Sequence, residues 1–537
     1  MPRNRALFLT CAASLLFVLA LWGPQYARRG HWGPDEARFV YIAREMAAAH
    51  SPLIPLRNGE IYAHKPPLMM WLVQAGEALF GSPFGSRLPT LLGAFLSILA
   101  LFSIGARLTD RRTSLFAILL TASSIQFWTV LGRGQIDALL TGFVLSSAAL
   151  FLSCGGGPVS TARILPAFLC AGMAVFAKGP VGLILPILIV AALRIPDKDR
   201  KLPELSPFQW VAGFTAALLI PTLWLGAAAW AGAPESYFRE ILFSQNVSRA
   251  AGGYGHLQPV WYFLGEFPVG FLPWTILLPF AIPILWKKSR VLLFQCALWI
   301  LFVIFFFTLP SSKRAVYILS AYPAAGLLVA AAADEIQSSP WFRRAARALV
   351  ILIPLLLLAA GAGFLKSGPA TRILPVYLRT APIANGLALA CFAAALLSGL
   401  CIKLLVGTFA DRHAFILPVL SVTAVLICVS GIALPAIGPS KEPRDLFPLV
   451  GQHVPPAGRL LLYQMDGELL ALHANRRGRR VDNDAEMLRA MADEGNGLAL
   501  FYQDAGDDAE RRFAPFVRET GTFKIGKRSY GWARFAR

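Results

Sequence analysis

The sequence contains few charged residues for its length. Only 15% of the 537 residues are Asp, Glu, Lys or Arg, and 56% are hydrophobic, whereas soluble domains average about 25% charged and about 45–50% apolar residues. So little charge excludes an ordinary soluble protein, and the main solvent of the chain is therefore lipid. The net charge of +20 does not indicate nucleic acid, because the basic residues are scattered over loops between apolar segments. Membrane lipids and phosphate groups are the expected partners, with no nucleic acid among them.

Sequence signals for metal, disulfide and nucleotide chemistry are also missing. The seven cysteines show neither metal-ligand spacing nor a disulfide framework, and most lie inside apolar stretches, where cysteine is usually a small buried hydrophobe. No glycine-rich phosphate loop of the Rossmann or Walker type is present. The first apolar stretch, residues 6–22, follows Arg3 and Arg5 but is not closed by an Ala-x-Ala cleavage site. We therefore expect it to remain as the first membrane span.

Long apolar stretches fill the chain as far as residue 436. A helix needs roughly 17–25 residues to cross about 30 Å of hydrocarbon, and helices satisfy their own backbone groups inside a bilayer. The sequence predicts about thirteen transmembrane helices, at 6–22, 87–107, 114–131, 137–153, 161–177, 179–194, 208–230, 271–287, 291–309, 314–333, 346–365, 383–406 and 413–436. The shorter apolar segment 66–80 opens with two prolines, and we expect it to lie at the membrane interface.

The basic residues assign an orientation to these spans. Lys and Arg cluster in alternate short loops, for example at residues 107–112, 194–201 and 287–290, and such loops stay on the cytoplasmic side. The N-terminus is then inside, and two long loops, residues 23–86 and 231–270, lie outside. When the other loops of a chain are short, its long loops usually carry function. The predicted location is a bacterial inner membrane that the chain crosses many times.

The composition changes after the last span. Charged and polar residues return, and alternating runs such as 459–463 and 498–502 lie between helical patterns. The sequence therefore predicts a transmembrane catalytic domain at residues 1–436, followed by a small soluble periplasmic α/β domain at residues 437–537.

The first long loop contains the acidic pair Asp35 and Glu36 directly after Pro34. If a helix begins there, Asp35 lies at its N-terminus, where the helix dipole favours a carboxylate, and Arg38 lies one turn further on. A helix cap with a surface ion pair explains these residues equally well when they are taken alone. Their interpretation depends on the other polar residues predicted on the same side of the membrane.

Several such residues follow. His64 and Lys65 open the interfacial segment, where the lysine could either meet a phosphate or extend to lipid headgroups. Asp137 stands at a membrane boundary, a costly place for an acid unless it has a function or caps a helix. The loop that ends at Tyr317 adds Lys313 and Arg314, and Lys178 falls in another outside turn. His256 of the second long loop could join His64 at a divalent metal, although two histidines are a weak metal signal.

Taken in order, these motifs resemble one known group of enzymes. Residues 35–39 and 43–46, the box at residues 64–67, Asp137, residues 178–180, the loop from Arg249 to Trp274 and residues 313–319 together are similar to the bacterial aminoarabinose transferase and protein O-mannosyltransferase group of GT-C glycosyltransferases. The resemblance runs to about residue 435, and the C-terminal segment is similar to that of the aminoarabinose transferases. His64 departs from the pattern, since those enzymes have an acidic residue before the box lysine.

The resemblance implies a polyprenyl (undecaprenyl) phosphate sugar as donor, an envelope acceptor such as lipid A, and transfer with inversion. It implies that Asp35 is the catalytic aspartate, with Asp137 as a second acid in the same cavity, and that Arg38, Lys65 and Tyr317 contact the donor phosphate. From its position we add Lys313 to the phosphate contacts, and His64, His256 and Glu36 as possible acceptor or metal contacts. No cofactor is expected to be required, apart from a possible divalent metal.

Other functions fit the same composition. A protein O-mannosyltransferase or another surface-glycan transferase would share the lipid donor and differ in the acceptor. A flippase or transporter for lipid-linked sugars would also have many spans and charged residues at the membrane edge. Transporters, however, place polar groups near the bilayer midplane in broken helices of repeated halves, whereas the acids and bases of this chain are predicted at one face.

Overall fold

The computed structural model describes residues 2–197, 199, 202–248, 257–365, 369–375, 378–409, 415–443, 446–456, 458–502, 508–525 and 527–536. Helices build the chain as far as residue 441, and a five-stranded sheet lies near its C-terminus. The chain is thus a mostly helical membrane protein with a small α/β region, as the sequence predicts.

The helices of the first part follow one another closely. They are α1 (Pro2–Arg28), α2 (Asp35–Ala48), α3 (Leu68–Phe80), α4 (Leu88–Leu108), α5 (Arg111–Ala122), α6 (Ile125–Leu131), α7 (Ile136–Ser153), α8 (Thr161–Lys178), α9 (Val181–Arg194), α10 (Pro207–Trp230), α11 (Glu235–Arg239), α12 (Tyr262–Gly270), α13 (Leu278–Lys288), α14 (Arg290–Thr308), α15 (Tyr322–Ala331), α16 (Ala333–Ser338), α17 (Pro340–Phe364), α18 (Ala381–Phe409), α19 (Ile416–Cys428) and α20 (Leu434–Ile437). A 3₁₀ segment, Ala315–Ala321, leads into α15.

The predicted membrane spans coincide with these helices. In the described part of the chain, nine helices are long and apolar enough to cross a bilayer, and two bent helix pairs raise the number to 11. Two shorter apolar helical stretches, Val181–Arg194 and Ala315–Ala331, occupy the two remaining predicted positions. The protein is therefore a multi-pass membrane protein.

One predicted span is not straight. The stretch 114–131 is divided into α5 and α6, which meet at 74°. At the break, the Ser123 hydroxyl donates to the Leu119 carbonyl at 2.5 Å and the Ser124 hydroxyl donates to the Thr121 carbonyl at 2.7 Å. Serine side chains that bond to the preceding turn compete with the helical backbone ladder, and Ser124 itself is extended. A similar break of 98° separates α12 from the helix that ends at Lys288.

Helices α4 and α7 pack with their backbones in close contact. A Cβ atom added at Gly142 would lie 2.7 Å from the carbonyl oxygen of Gly93, and one added at Gly93 would lie 2.3 Å from that of Ala138. Small residues allow such an approach between membrane helices. The contact fixes the first turns of α7, where Asp137 is located.

The C-terminal sheet has both parallel and antiparallel strands. It is formed by β5 (Arg459–Tyr463), β6 (Arg477–Val481), β7 (Asn496–Tyr502), β8 (Val517–Ile525) and β9 (Arg528–Ala536), numbered after the two-residue strands β1 (Leu56–Arg57), β2 (Glu60–Ile61), β3 (Gly157–Pro158) and β4 (Pro203–Glu204). The spatial order is β6-β5-β7-β9-β8. Strands β6, β5 and β7 are parallel, whereas β9 is antiparallel to both neighbours. The alternating runs 459–463 and 498–502 are thus strands β5 and most of β7, as predicted.

Helices cover the sheet and connect it to the rest of the chain. They are α21 (Leu446–His453), α22 (Glu468–Ala474), α23 (Asp484–Glu494) and a short turn of helix, Ala509–Arg512. The Tyr41 hydroxyl of α2 accepts a hydrogen bond from the Gly478 amide at 2.8 Å, and the Asn58 side chain donates to the Asp466 carbonyl at 3.0 Å. The C-terminal region therefore rests on α2, the helix that begins at Asp35.

Candidate active site

Asp35 is the first residue of α2 and lies between two guanidinium groups. Its Oδ2 accepts a hydrogen bond from Arg314 Nη2 at 2.5 Å, and its Oδ1 is 3.5 Å from Arg38 Nη1. The carboxylate is mostly buried, with 15% of its side chain exposed. Arg314 comes from the segment just before α15, 279 residues away in sequence, so the pair exists only through the fold.

The surroundings of Asp35 keep its carboxylate ionised. Burial raises the pKa of this group, but the hydrogen bond and charge of Arg314 outweigh burial, and Arg38 and Lys178 add to the effect. The pKa of Asp35 is therefore held below its usual value. A carboxylate in this state is a weak base, and its basicity increases if an anionic ligand draws the arginine charges away.

A second carboxylate, Asp137, lies beside this pair at the start of α7. It is ion-paired with Lys178, the last residue of α8, and the side chains of both residues are almost fully buried. The Lys178 ammonium also lies 4.5 Å from the centre of the Tyr317 ring. Burial lowers the pKa of Arg314, but its hydrogen bond and charge interaction with Asp35 raise it. The charges of Asp137 and Tyr317 also raise it, so the pKa of Arg314 lies above its usual value. The two acids thus belong to one charged cluster.

Arg38 connects the cluster to the C-terminal region. Its Nε donates to Glu468 Oε1 at 3.0 Å, and Glu468 is the first residue of α22. Arg57 is also 3.0 Å from the same carboxylate oxygen. Glu468 therefore lies between two arginines, one of which also contacts Asp35.

Tyr62 connects the box at residues 64–67 to Arg38. Burial lowers the pKa of Arg38, and the phenol of Tyr62 is one of the groups that raise it above its usual value. The centre of the Tyr62 ring is 4.8 Å from the centre of the His64 ring. Lys65 Nζ donates to the carbonyl of His64 at 2.9 Å. The structure therefore places the predicted cationic box at the edge of the cluster.

Two predicted site residues have different surroundings. Lys313 is buried, and its ammonium donates to the Gln258 carbonyl at 3.1 Å, so the neighbouring Arg314 is the cation that reaches Asp35. Lys313 is the cation expected from sequence position, which cannot show which of two adjacent side chains turns toward the site. His256 lies outside the described residues.

Glu36 has the environment of a structural residue. Its two carboxylate oxygens are bonded to Arg29 at 3.0 and 3.1 Å and to Arg87 at 2.6 Å, and the Trp32 amide donates to it at 3.1 Å. Only 3% of the residue is exposed. An acceptor or metal contact by Glu36 does not fit these bonds, because they leave no free oxygen.

A cavity of about 670 Å³ opens beside the start of α2, and both parts of the chain line it. From the helical part come Trp32, Gly33, Pro34, Arg38 and Arg133, and from the C-terminal part come Glu468, Tyr502, Lys527, Arg528 and Tyr530, among others. Ligand pockets commonly measure about 300–1,000 Å³. The cavity is large enough for a sugar-sized group beside Pro34 and Arg38, whereas Asp35 itself is not among its lining residues. The lining is rich in cations and aromatic rings.

No described group of three or more His, Cys, Asp or Glu side chains is arranged to hold a metal ion. The distance between His64 and His256 cannot be given, because only His64 belongs to the described residues. A metal at these histidines therefore stays a prediction.

Comparison with known proteins gives the fold its context. Residues 64–225 match the family model described as dolichyl-phosphate-mannose-protein mannosyltransferase. Over its whole length, the structure is similar to the crystal structure of ArnT from Cupriavidus metallidurans bound to undecaprenyl phosphate. The TM-score is 0.72 and the sequence identity 21%, over 99% of this chain and 98% of that chain. The chain has a GT-C glycosyltransferase fold.

One further solved structure and two sequence relatives are similar to this chain. The Archaeoglobus fulgidus oligosaccharyltransferase in its apo form matches with a TM-score of 0.50 and 14% identity, over 94% of this chain and 71% of the other. An undecaprenyl phosphate-alpha-4-amino-4-deoxy-L-arabinose arabinosyl transferase from Pseudomonas aeruginosa is 31% identical over 318 residues. A protein of the same description from Aeromonas salmonicida is 30% identical over 340 residues.

The sequence matches are partial. They cover 58% and 61% of this chain, and 57% and 60% of the lengths of the P. aeruginosa and A. salmonicida relatives. The likeness to aminoarabinose transferases that the motifs predict is confirmed at the level of fold and sequence similarity.

Three neighbours of the predicted residues become visible only in the structure. Arg57 and Glu468 have no motif around them. Glu468 meets Arg38 across 430 residues, and Arg57 contacts the same carboxylate oxygen of Glu468. Arg133 lines the cavity from the loop before α7. In the sequence, Arg133 stands out only as a basic residue in an outside loop, and many other loops contain such a residue.

Proposed function

We propose that this protein is an integral membrane glycosyltransferase that moves a sugar, with inversion, from a polyprenyl-phosphate donor to an envelope acceptor. The observation that carries the proposal is the contact of Asp35 with Arg314 and with Arg38, because Arg38 also lines a sugar-sized cavity. The descriptions of the relatives from P. aeruginosa and A. salmonicida, and the undecaprenyl phosphate bound to the C. metallidurans protein, support this donor class.

The cations of the cluster serve the leaving group. When the bond between the anomeric carbon and the donor oxygen breaks, the electron pair stays on the phosphate, which leaves as polyprenyl phosphate with added negative charge. Arg38, Arg314 and Lys65 would hold that charge, because fixed positive groups stabilise charge that develops in the transition state. Tyr317 would hold the ammonium of Lys178 beside the phosphate through its ring face.

Asp35 serves the acceptor. An acceptor hydroxyl forms the new bond to the anomeric carbon, and its proton passes to the carboxylate of Asp35 as general base. A donor phosphate that binds Arg38 and Arg314 competes with Asp35 for both guanidinium groups. The pKa of Asp35 then rises when the donor is bound, so the base becomes stronger at the moment it is needed. Asp137 keeps Lys178 charged and in place.

Location, orientation and cofactors complete the proposal. The charge pattern of the loops supports a bacterial inner membrane, with the N-terminus in the cytoplasm and residues 437–537 in the periplasm. Lipid A is the proposed acceptor, as the resemblance to the aminoarabinose transferases implies, and a protein hydroxyl would make the enzyme resemble the mannosyltransferases instead. The proposed reaction needs no cofactor, and a metal at His64 and His256 would be an addition to it.

The test is transfer by the purified full-length protein. Undecaprenyl phosphate aminoarabinose and lipid A are incubated with the protein, and the product is measured by mass spectrometry. We expect Asp35→Asn to reduce turnover by about 10²- to 10⁴-fold, the usual contribution of a general base. Asp482→Asn is the matched control, because Asp482 is an exposed carboxylate of the C-terminal region that pairs with Arg480.

The outcomes separate the alternatives. Equal turnover by Asp35→Asn and the control would remove Asp35 from the mechanism. Movement of the donor across a liposome membrane without any glycoside product would identify a flippase. A product with a peptide acceptor, but none with lipid A, would reassign the acceptor.

A further inference from the structure

A second cavity lies at the opposite end of α2 from Asp35. It measures about 460 Å³, and four arginines line it: Arg44 from α2, Arg459 at the start of β5, and Arg476 and Arg477 at the start of β6. We call it the arginine cavity. Arg44 lies nine positions after Asp35 on the helix, which corresponds to about 14 Å along the axis. The arginine cavity is thus separate from the cluster at Asp35.

The arginine cavity contains more positive charge than its carboxylates neutralise. Arg44 is paired with Glu77 through two bonds of 2.8 and 3.0 Å. Arg459, Arg476 and Arg477 have no carboxylate within ion-pair distance among the described residues. Such a group of unneutralised guanidinium groups around one concave surface is repulsive unless an anion enters it.

The bonds that these arginines do make leave most of their donors unused. Arg476 donates to the carbonyls of Asn475 and Val454 at 3.1 and 3.2 Å, and Arg477 donates to that of Ala48 at 3.0 Å. The Nε of Arg476 is buried and has no hydrogen-bond partner in the described part of the chain. A guanidinium carries five N–H donors, and a buried donor without an acceptor is costly.

The one carboxylate in the lining, Glu45, is already engaged. It accepts the backbone amides of Asn58 and Gly59 at 2.7 and 2.6 Å. Burial raises its pKa, and the charge of Arg477 only partly opposes this effect. The three arginines without a carboxylate partner and the single carboxylate of Glu45 leave about two positive charges. This balance matches a phosphate monoester, which carries about −1.5 to −2 at neutral pH.

Strand β6 provides an internal comparison. Arg479 and Arg480 lie two and three residues beyond Arg477, outside the arginine cavity, and each has a carboxylate partner: Asp493 for the first, Asp482 and Asp466 for the second. On this strand, the arginines outside the cavity have carboxylate partners, whereas Arg477, which lines the cavity, has none among the described residues.

A membrane lipid is a suitable carrier for the phosphate. Arg44 links the arginine cavity to Glu77 of α3, and the next residues of that helix include Leu79 and Phe80, whose side chains are 71% and 57% exposed. Exposed apolar side chains at the end of an apolar helix suit contact with a lipid surface. The cavity therefore lies near the place where headgroups would be.

We propose that the arginine cavity is a second anion site, which binds a phosphate monoester carried on a lipid or glycolipid headgroup. Arg459, Arg476 and Arg477 hold the phosphate through paired N–H donors, the geometry in which arginine recognises phosphate. The site does not depend on the transfer reaction, and binding can be measured without a donor or an acceptor.

The experiment measures binding to the full-length protein in lipid nanodiscs. The first arm uses neutral phosphatidylcholine discs and titrates soluble glucose 1-phosphate by calorimetry. The second arm adds phosphatidic acid, a phosphate-monoester lipid, and counts retained lipid by native mass spectrometry, with phosphatidylglycerol as the diester comparison. The variants are Arg459→Gln/Arg476→Gln and the matched Arg479→Gln, and each is first checked for unchanged thermal unfolding. An Arg38→Gln/Arg314→Gln variant removes binding at the cluster near Asp35.

We expect the Arg459→Gln/Arg476→Gln variant to lose at least tenfold in affinity for phosphatidic acid, while Arg479→Gln and Arg38→Gln/Arg314→Gln retain it. Preference for phosphatidic acid over phosphatidylglycerol would support a monoester site on a lipid. Saturation by glucose 1-phosphate alone would support the same site with a soluble ligand.

Equal affinity in Arg459→Gln/Arg476→Gln and Arg479→Gln would overturn the proposal, because the arginines would then only cap the ends of helices. If Arg459→Gln/Arg476→Gln unfolds early, Arg459→Gln alone is used, since the side chain of Arg459 makes no described hydrogen bond.

Discussion

Asp35 and Glu36 are neighbours in the chain, but they lie in two different kinds of surroundings. Glu36 is closed in by Arg29, Arg87 and backbone amides, and all its bonding positions are filled. Asp35 has two arginines as well, but one of them, Arg38, is shared with Glu468, and both Arg38 and Glu468 line a cavity. The difference shows that an ion pair alone does not mark a functional acid. What distinguishes Asp35 is that a ligand can reach its partners.

The comparison is tested most strongly by removing the charge of Glu36. Glu36→Gln leaves Arg29 and Arg87 buried without a counter-charge, and breaking a buried pair in this way costs about 3–5 kcal/mol. We expect a loss of that size in the free energy of unfolding, measured by denaturant titration in detergent. Asp35→Asn serves as the comparison and should lose less, because 25% of the Arg38 side chain and 33% of the Arg314 side chain are exposed to solvent. Equal stability of the two variants would show that the two sites are of one kind.

The next effect concerns Arg314 and the pH dependence of transfer. The pKa of Asp35 is depressed in the folded protein, so wild-type activity should fall only when the pH drops below the usual carboxylate range. Arg314→Gln removes the strongest favourable partner, and the pKa of Asp35 should rise. We expect the acid limb of kcat/KM to move to higher pH and the rate at neutral pH to fall about 10- to 100-fold, as expected for the loss of one charge-stabilising donor.

Arg314→Lys is the matched variant for this measurement. It keeps the charge but loses the planar fork of the guanidinium, so its acid limb should lie between those of the wild type and Arg314→Gln. An acid limb at the same pH in all three proteins would separate Arg314 from the titration of Asp35.

The smallest effect concerns Glu468. This residue competes with a donor phosphate for Arg38, and Glu468→Gln removes the competing charge. We expect the KM for the donor to fall about two- to fivefold with little change in kcat, in the range of a partly exposed ion pair. Asp466→Asn is the control, because Asp466 pairs with Arg57 and Arg480 but not with Arg38. An increase in KM would show that Glu468 positions Arg38 rather than competing with the donor.

Much of the architecture could be predicted because it depends on local composition. The apolar spans follow from hydrophobicity, and strands β5 and β7 follow from alternation. The gathering of Asp35, Asp137, Lys178 and Tyr317 at one face follows from counting spans. The bend between α5 and α6 was missed because Ser123 and Ser124 look like ordinary small residues in an apolar stretch.

The pairing of individual side chains could not be predicted. Arg314 and Lys313 are chemically similar neighbours, and only the geometry of the segment before α15 decides which of them reaches Asp35. The contact of Arg38 with Glu468 joins residues 430 positions apart, for which local sequence carries no signal. The arginine cavity likewise requires α2 and the sheet to be in place.

The close contact of Gly93 with Gly142 gives a steric way to change the site. Gly142 lies five residues beyond Asp137 on α7, and a methyl group there would meet the backbone of α4 at 2.7 Å. Helix α7 would have to move away by a few tenths of an ångström and would carry Asp137 and its ion pair with it. An uncharged substitution among apolar side chains could thus weaken catalysis by displacing Asp137.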